Sequence, residues 1–156
     1  MDKKFILTDI LPKEKREKLI EDCKHYLKRL SGGRPAYQSD DPIRNYPPFF
    51  DIHRIADCLA LQFLQKDLIY DKSWFIMTQG NDDQYLMHNH PSDYVAVYYM
   101  NSHTSFVNGT EFEIDGFVEA PENSMLLFPG YLYHTPPKFE VNFERYSMSF
   151  NWNFKD

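Results

Sequence analysis

The sequence predicts a mainly β domain, a barrel or sandwich of short strands with a layer of helices in front of it. Aromatic residues make up 17% of the chain, and the 13 Phe and 11 Tyr suit the half-buried surface of a sheet. From about residue 73 onward, short apolar runs alternate with turn signals, which is typical of barrels and sandwiches. A chain of 156 residues is one domain by size and can bury a core without disulfides.

Two helices are predicted before the strands. The first spans about 13–30, where apolar residues recur at helical spacing, and Ser31-Gly32-Gly33 would end it. The second spans about 50–64, and we expect His53 to be an ordinary residue on its surface. The predicted buried stripe of this second helix consists of Ile52, Ile55, Ala56, Leu59, Ala60 and Phe63.

The strands follow without an internal repeat. Turn signals such as Asn108-Gly109 and Asp115-Gly116 separate them. Residues 1–70 are therefore expected to form a helical support layer, and residues 71–156 the β core of a single domain spanning 1–156. The predicted strands are 74–79, 84–90, 94–100, 104–107, 111–119 with a break, 124–128, 131–135 and 145–153.

Composition excludes some classes of partner. The formal net charge is −6, and an acidic chain without a basic patch argues against nucleic acid as the main partner. No window approaches about 18 consecutive apolar residues, so we expect no segment that spans a membrane.

The two cysteines bear on the compartment. Cys23 and Cys58 are isolated in predicted helices, and neither has a Cys or His partner at the short spacing of a zinc site. The N-terminus opens no apolar run of signal-peptide length. We therefore expect reduced thiols and a cytoplasmic protein.

His88-Asn89-His90 is the first candidate for chemistry. Residues i and i+2 of a strand point to the same side, so both imidazoles can reach one metal ion. Pro91 then ends the ladder, which suits a site at a strand end. The alternative is a pair of ordinary surface histidines.

His134 is the candidate third ligand. It follows an apolar strand and a Pro-Gly turn and lies just inside the next predicted strand. Three neutral nitrogen ligands on one face leave coordination positions open for substrate and O₂, as redox iron chemistry requires. The same His pattern also occurs in cupins that bind other metals.

Arg145-Tyr146-Ser147 points to a carboxylate ligand. Arg145 and Ser147 share one face of the last predicted strand. A guanidinium fork beside a hydroxyl donor is suited to binding one carboxylate group. The alternative is a surface ion pair of the Arg.

These motifs together resemble the iron(II)- and 2-oxoglutarate-dependent oxygenase superfamily, and within it the prolyl-hydroxylase-like branch. The stretch 80–90, GNDDQYLMHNH, is similar to the strand that carries the branch's HxD motif, and 97–101, VYYMN, to the strand that follows. The stretch 126–128 with His134, and 145–150, RYSMSF, are similar to its distal His strand and cosubstrate-binding strand. The chain resembles short bacterial and phage members of this superfamily more closely than the branch as a whole. The resemblance covers about 74–153.

The resemblance implies a fold and a set of site residues. It implies a double-stranded β-helix, the jelly-roll or cupin-like fold, holding Fe(II) and taking 2-oxoglutarate as cosubstrate. His88 and His134 would bind the metal, while Arg145 and Ser147 would bind the far carboxylate of 2-oxoglutarate. Tyr99 stands where the branch uses a Tyr hydroxyl on the same cosubstrate. No catalytic residue beyond these groups is indicated.

One position departs from the pattern. The branch has Asp or Glu where this chain has His90, so the third ligand is either His90 or, five residues after His88, Asp93. Strand parity favours His90, because Asp93 lies beyond Pro91 and out of register.

The predicted function is hydroxylation of an unidentified substrate with 2-oxoglutarate and O₂. The substrate would be a peptidyl side chain or a small metabolite. Two alternatives stay open: a cupin-like dioxygenase or isomerase that does not use 2-oxoglutarate, and a metal-free binding member of the same fold.

Overall fold

The computed structural model describes residues 3–29, 37–39, 43–80 and 86–155. It contains helices α1 (Lys13–His25) and α2 (Phe50–Leu64), with two short 3₁₀ turns before α2 (Ile43–Asn45 and Pro47–Phe49). Its strands are β1 (Phe5–Leu7), β2 (Lys28–Arg29), β3 (Tyr37–Gln38), β4 (Leu68–Gln79), β5 (Tyr94–Tyr99), β6 (Gly109–Phe112), β7 (Gly116–Glu119), β8 (Ser124–Pro129), β9 (His134–Thr135) and β10 (Glu144–Phe154).

The strands form two sheets in the described part of the chain. The larger has seven strands in the order β1-β8-β5-β10-β4-β3-β2, and the smaller has three in the order β7-β6-β9. All neighbouring strands are antiparallel. This arrangement confirms the expected mainly β fold, a double-stranded β-helix with helices on one side.

Strand β10 lies near the middle of the larger sheet and shows why the sheet has two different faces. Its residues Tyr146, Met148, Phe150 and Trp152 join the apolar core that also includes α1 and α2 residues. Each such side chain, once fully buried, stabilises the fold by about 1.5–3 kcal/mol. Because successive strand residues alternate in direction, the residues between them face the opposite side. That opposite side carries Arg145, Ser147, Ser149 and Asn151, all buried.

A second, smaller core fills the space between the two sheets. It contains Val95 and Tyr99 of β5, Leu126 and Phe128 of β8, and Phe112 of β6. The polar face of β10 therefore turns toward the interior of the β-helix, where a buried polar group needs a partner or a ligand.

The predicted helices are partly confirmed. Helix α2 has the predicted bounds, whereas α1 ends at His25 and residues 28–29 already form β2. The predicted stop signal at 31–33 lies outside the described residues. Strands β1, β2 and β3, within the first seventy residues, were not predicted.

Two strand predictions were wrong in detail. No strand forms at 104–107; the chain turns there, and β6 begins only at Gly109. The reason is local, because the Asn108 side chain accepts a hydrogen bond from Gly109 N at 2.9 Å and Gly109 has φ +151°. Residues 84–85 lie outside the described part, and in the described remainder of predicted strand 84–90 only His88 forms a β-bridge.

His53 is not on the surface, as the sequence analysis expected, but buried. One ring nitrogen lies 2.7 Å from the Phe49 carbonyl oxygen and the other 2.6 Å from Ser73 Oγ. Both polar atoms of the ring are therefore satisfied inside the core, which makes the burial of this imidazole tolerable.

Among the described residues, no helix is both long and apolar enough to cross a membrane.

Candidate metal centre

His88 and His134 are held together by backbone hydrogen bonds. His88 N donates to the His134 carbonyl oxygen at 3.0 Å, and His134 N donates to the His88 carbonyl oxygen at 2.8 Å. This mutual pair is the isolated antiparallel bridge, and it places the two rings with centroids 4.5 Å apart. The chain thereby joins two positions that lie far apart in sequence.

His90 is placed by the turn after β8. His90 N donates to the Gly130 carbonyl oxygen at 2.8 Å, and Gly130 N donates to the Asp93 carbonyl oxygen at 3.0 Å. A Cβ atom on Gly130 would lie 1.9 Å from the Ser92 carbonyl oxygen, so only glycine allows this close approach. The Pro129-Gly130 turn thus sets both His90 and the start of β9.

The three histidines converge on one point. One ring nitrogen from each of His88, His90 and His134 lies within 4.8 Å of the others, as the ligands of a single metal ion require. His88 Nδ1 lies 3.1 Å from the Leu86 carbonyl oxygen, and His134 Nδ1 lies 2.9 Å from that of Leu132. A ring nitrogen facing a carbonyl carries the proton, so in His88 and His134 the Nε2 atom keeps its lone pair for a metal.

The environment keeps the two buried rings neutral. Burial, followed by the nearby His134 and His88, lowers the pKa of His90 to about 3. Burial is also the main cause that lowers the pKa of His134 to about 4, against an opposing hydrogen bond to the Leu132 carbonyl. Both imidazoles are therefore uncharged at neutral pH, the charge state that metal binding requires.

Asp93 does not join this group. Its side chain is exposed, and Oδ2 accepts a hydrogen bond from Phe154 N at 2.8 Å. Its own backbone N donates to Asn153 Oδ1 at 3.1 Å. The structure brings His90 to the candidate site and ties Asp93 to the end of β10.

A small cavity connects the histidines to the candidate carboxylate site. It has a volume of about 70 Å³, and the residues lining it include the three histidines, Arg145 and Ser147. Arg145 is 2% exposed; its Nε donates to Asn108 Oδ1 at 2.8 Å, and its guanidinium carbon lies 5.6 Å from the centroid of the Tyr99 ring. The cation is thus fixed inside the β-helix.

Tyr99 lies beside Arg145 with its hydroxyl engaged elsewhere. That hydroxyl shares a hydrogen bond with Thr110 Oγ1, and burial raises the pKa of Tyr99 to about 12. Thr110 itself lines the cavity. The ring of Tyr99 therefore contacts the guanidinium, and of the two hydrogen-bonded residues it is Thr110 that lines the cavity.

The sequence analysis missed four polar residues around this cavity. Asn108 binds Arg145, Thr110 binds Tyr99, and the Asn151 amide lies 3.0 Å from His90 Nδ1. Thr78, paired with Arg145 across β4 and β10, has a buried hydroxyl without a hydrogen-bond partner in the described part of the chain. For Asn151 a signal existed, since it shares strand parity with Arg145; for the others only the fold shows the contact.

Comparison by sequence gives no match to a protein-family model or to a curated protein. Comparison with solved structures gives many. HygX from Streptomyces hygroscopicus, crystallised with nickel and 2-oxoglutarate, has a TM-score of 0.78 at 10% identity, over 97% of this chain and 83% of its own. A prolyl-4-hydroxylase from Pseudomonas putida has a TM-score of 0.75 at 16% identity, over 100% of this chain and 95% of its own.

A viral enzyme has a similar backbone fold as well. The collagen prolyl hydroxylase vCPH of Paramecium Bursaria Chlorella virus-1, as a 2-oxoglutarate complex, has a TM-score of 0.73 at 8% identity, over 96% of this chain and 94% of its own. At such identities the likeness concerns the backbone. The chain therefore has the same double-stranded β-helix fold as these three proteins.

Proposed function

We propose that this protein is a non-haem iron(II) oxygenase that uses 2-oxoglutarate and O₂ to hydroxylate a substrate, either a peptidyl side chain or a small metabolite. One observation supports this proposal most. A single cavity is lined by three histidines whose ring nitrogens could hold one metal ion and by a buried arginine–serine pair suited to a carboxylate.

The donor set fits iron. Imidazole nitrogens are ligands of first-row transition metals, iron included, and three of them on one side leave positions open. His88, His90 and His134 would hold the ion. When bound, Fe(II) supplies the O₂ chemistry that couples oxidation of 2-oxoglutarate to succinate and CO₂ with substrate hydroxylation.

The cavity wall fits the cosubstrate. Arg145 would offer guanidinium N–H groups and Ser147 a hydroxyl to the far carboxylate. The buried hydroxyl of Thr78, which has no hydrogen-bond partner among the described residues, lies on the same face of the sheet. With three neutral ligands, Fe(II) and the 2-oxoglutarate dianion would together be neutral, and Arg145 would add one positive charge beside the far carboxylate. A site of such low net charge does not require an acidic ligand.

The fold neighbours support the same assignment. HygX is crystallised with nickel and 2-oxoglutarate, and also with hygromycin B, whereas the Pseudomonas and viral neighbours are prolyl hydroxylases. Proteins of this fold thus include small-molecule and peptidyl enzymes, and both substrate classes belong to the proposal.

A thermal-shift experiment tests the proposal. The purified protein is melted with Ni²⁺ in place of iron, with and without 2-oxoglutarate, since a ligand stabilises only the form that binds it. We expect Ni²⁺ alone to raise Tm and 2-oxoglutarate to raise it further only when Ni²⁺ is present. The control is glutarate, which has both carboxylates but lacks the keto group that chelates a metal.

A second candidate function is a cupin-like dioxygenase or isomerase that does not use 2-oxoglutarate. The observation that favours it is His90, a neutral ligand at the position where the resembled branch has an acid. It predicts that Ni²⁺ raises Tm and that 2-oxoglutarate adds nothing. Loss of both shifts would contradict either enzyme and favour a metal-free binding protein.

A further inference from the structure

Asn151 connects the third candidate ligand to the central strand. It lies on the interior face of β10 and is 1% exposed. Its Nδ2 atom lies 3.0 Å from His90 Nδ1, and its Oδ1 atom lies 3.5 Å from Ser149 Oγ. A buried amide thus contacts the ring nitrogen of His90 that does not face the other histidines.

The arrangement of these groups specifies where the protons are. An amide NH₂ donates, so His90 Nδ1 accepts and the neutral ring carries its proton on Nε2. His90 Nε2 lies 3.2 Å from His134 Nε2, whose lone pair is free because His134 Nδ1 faces the Leu132 carbonyl at 2.9 Å. Every polar atom is satisfied, but the His90–His134 hydrogen bond occupies the two nitrogens that a metal needs.

Metal binding requires the other tautomer of His90. Its Nε2 must lose the proton, and Nδ1 must then carry it and find an acceptor. The ring cannot easily turn over, because it is stacked on the Trp74 ring, with centroids 5.6 Å apart and an interplanar angle of 7°.

The Asn151 amide can supply that acceptor. A half-turn of the amide exchanges Oδ1 and Nδ2, which have nearly the same size. Oδ1 then faces His90 Nδ1 and accepts its proton, while Nδ2 donates to Ser149 Oγ. In both orientations the amide is paired with the same two neighbours, His90 Nδ1 and Ser149 Oγ.

We propose that Asn151 is a positioning residue that selects the metal-binding tautomer of His90, accepting a hydrogen bond from His90 Nδ1 so that Nε2 is free for the metal. The inference rests on the metal site of the proposed function. Asn151 acts on the metal through His90 alone. Outer partners of this kind fix the orientation of a ligating histidine and increase its basicity.

Nuclear magnetic resonance of ¹⁵N-histidine-labelled protein titrated with Zn²⁺ tests this directly, because Zn²⁺ is diamagnetic and the ring-nitrogen shifts report the tautomer. We expect His90 of the zinc-loaded parent to carry its proton on Nδ1. Zn²⁺ affinity, measured by calorimetry, should fall about 10- to 100-fold in Asn151→Leu, the usual cost of losing such a partner. Asn151→Asp, which always accepts, should bind at least as tightly as the parent.

The matched control is Asn153→Leu. Asn153 is on the same strand, and its Oδ1 accepts a hydrogen bond from Asp93 N at 3.1 Å; among the described residues it has no hydrogen bond to His90. It should bind Zn²⁺ with parental affinity, which separates a specific effect at His90 from a general weakening of β10.

The outcomes separate this inference from the proposed function. An unprotonated His90 Nδ1 in the zinc-loaded parent, or parental affinity in Asn151→Leu, overturns the role of Asn151 and leaves the metal site standing. A parent that does not bind Zn²⁺ overturns the metal site and this inference with it. If Asn151→Leu does not fold, the tautomer of the parent and the affinity of Asn151→Asp decide.

Discussion

At the residue scale, the identity of the third ligand is the sharpest departure from the resembled pattern. His90 is buried among the other two rings, whereas Asp93 is exposed and bonded to Phe154 N at 2.8 Å. The ring nitrogens of His88, His90 and His134 converge within 4.8 Å of one another, and the Asp93 carboxylate is not part of that group. The candidate site therefore consists of three neutral ligands, and its charge has to be balanced by whatever else it binds.

Substitution of the two candidates is the first prediction. His90→Ala should weaken Fe(II) affinity by orders of magnitude, because it removes one of three ligands. Asp93→Ala should lower stability by about 1 kcal/mol through the lost hydrogen bond and leave the affinity nearly unchanged. His90→Asp should retain iron, since iron accepts two His and one carboxylate. Anaerobic iron titrations at one pH measure the Fe(II) affinity of all three variants. A large loss of affinity in Asp93→Ala, with near-parental affinity in His90→Ala, would reverse the assignment.

The second prediction concerns Arg145. Removing the buried partner of a carboxylate typically costs about 2–5 kcal/mol, which is roughly 30- to several-thousand-fold in affinity. Arg145→Ala should therefore lose 2-oxoglutarate binding while Ni²⁺ binding stays, as calorimetry with each ligand would show. Arg145→Lys keeps the charge without the planar fork and should bind 2-oxoglutarate with intermediate affinity. Parental 2-oxoglutarate affinity in Arg145→Ala would favour the cupin-like alternative.

At the element scale, the strands show which features a sequence can reveal. The period-2 alternation of β10 could be predicted, and with it the shared face of Arg145 and Ser147. The meeting of His88 with His134 was expected from the pattern of three histidines and from the resemblance, since no local pattern specifies which distant strands pair. Strand 104–107 was wrongly predicted because the Asn108 side chain competes with strand pairing through its own hydrogen bonds, as Asn residues in turns do.

Buried polar partners were the least predictable features. His53 lies in an ordinary helical pattern, and nothing local shows that Phe49 and Ser73 satisfy its two nitrogens. Asn151 has the parity of the site, yet only the packed structure brings it to His90. Such contacts depend on tertiary neighbours, and these are set by the whole fold.

The third prediction tests the turn between β8 and β9. Gly130→Ala places a Cβ 1.9 Å from the Ser92 carbonyl oxygen, so the backbone that positions His90 has to move. Metal affinity should fall along with stability. Gly116→Ala is the control: Gly116 has φ +79° and open space around its Cβ, so its substitution should cost about 1 kcal/mol of strain with parental metal affinity. Equal metal affinity in both variants would contradict a positioning role for the turn.

At the scale of the whole molecule, one sheet separates two kinds of interior. Its apolar face packs on α1 and α2, and its other face carries the polar residues of the candidate site. His53 is an exception on the apolar side, bonded to Ser73, whose hydroxyl also lies 2.7 Å from the Tyr70 hydroxyl. The helical layer is thus attached to the sheet by polar contacts as well as by apolar packing.

The last prediction is a pH dependence of folding that arises from this attachment. Burial, the largest cause, lowers the pKa of His53 in the folded protein below its ordinary value of 6.5. Above the unfolded pKa both states are neutral and the stabilisation is complete. As the pH falls below about 6.5, the unfolded chain binds a proton that folded His53 refuses, so the free energy of unfolding decreases until the folded pKa is passed.

His53→Gln removes the titratable imidazole, and the Gln amide can still hydrogen-bond to Ser73 Oγ. In metal-free protein, the slope of unfolding free energy against pH between 7 and 5 should therefore be smaller than in the parent, by at most about 1.4 kcal/mol per pH unit. Urea unfolding at several pH values measures the slope. His90 and His134, whose lowered pKa values are about 3 and about 4, remain in the variant and still contribute to the slope. If His53→Gln has the parental slope, the buried imidazole does not contribute to the acid sensitivity of the fold.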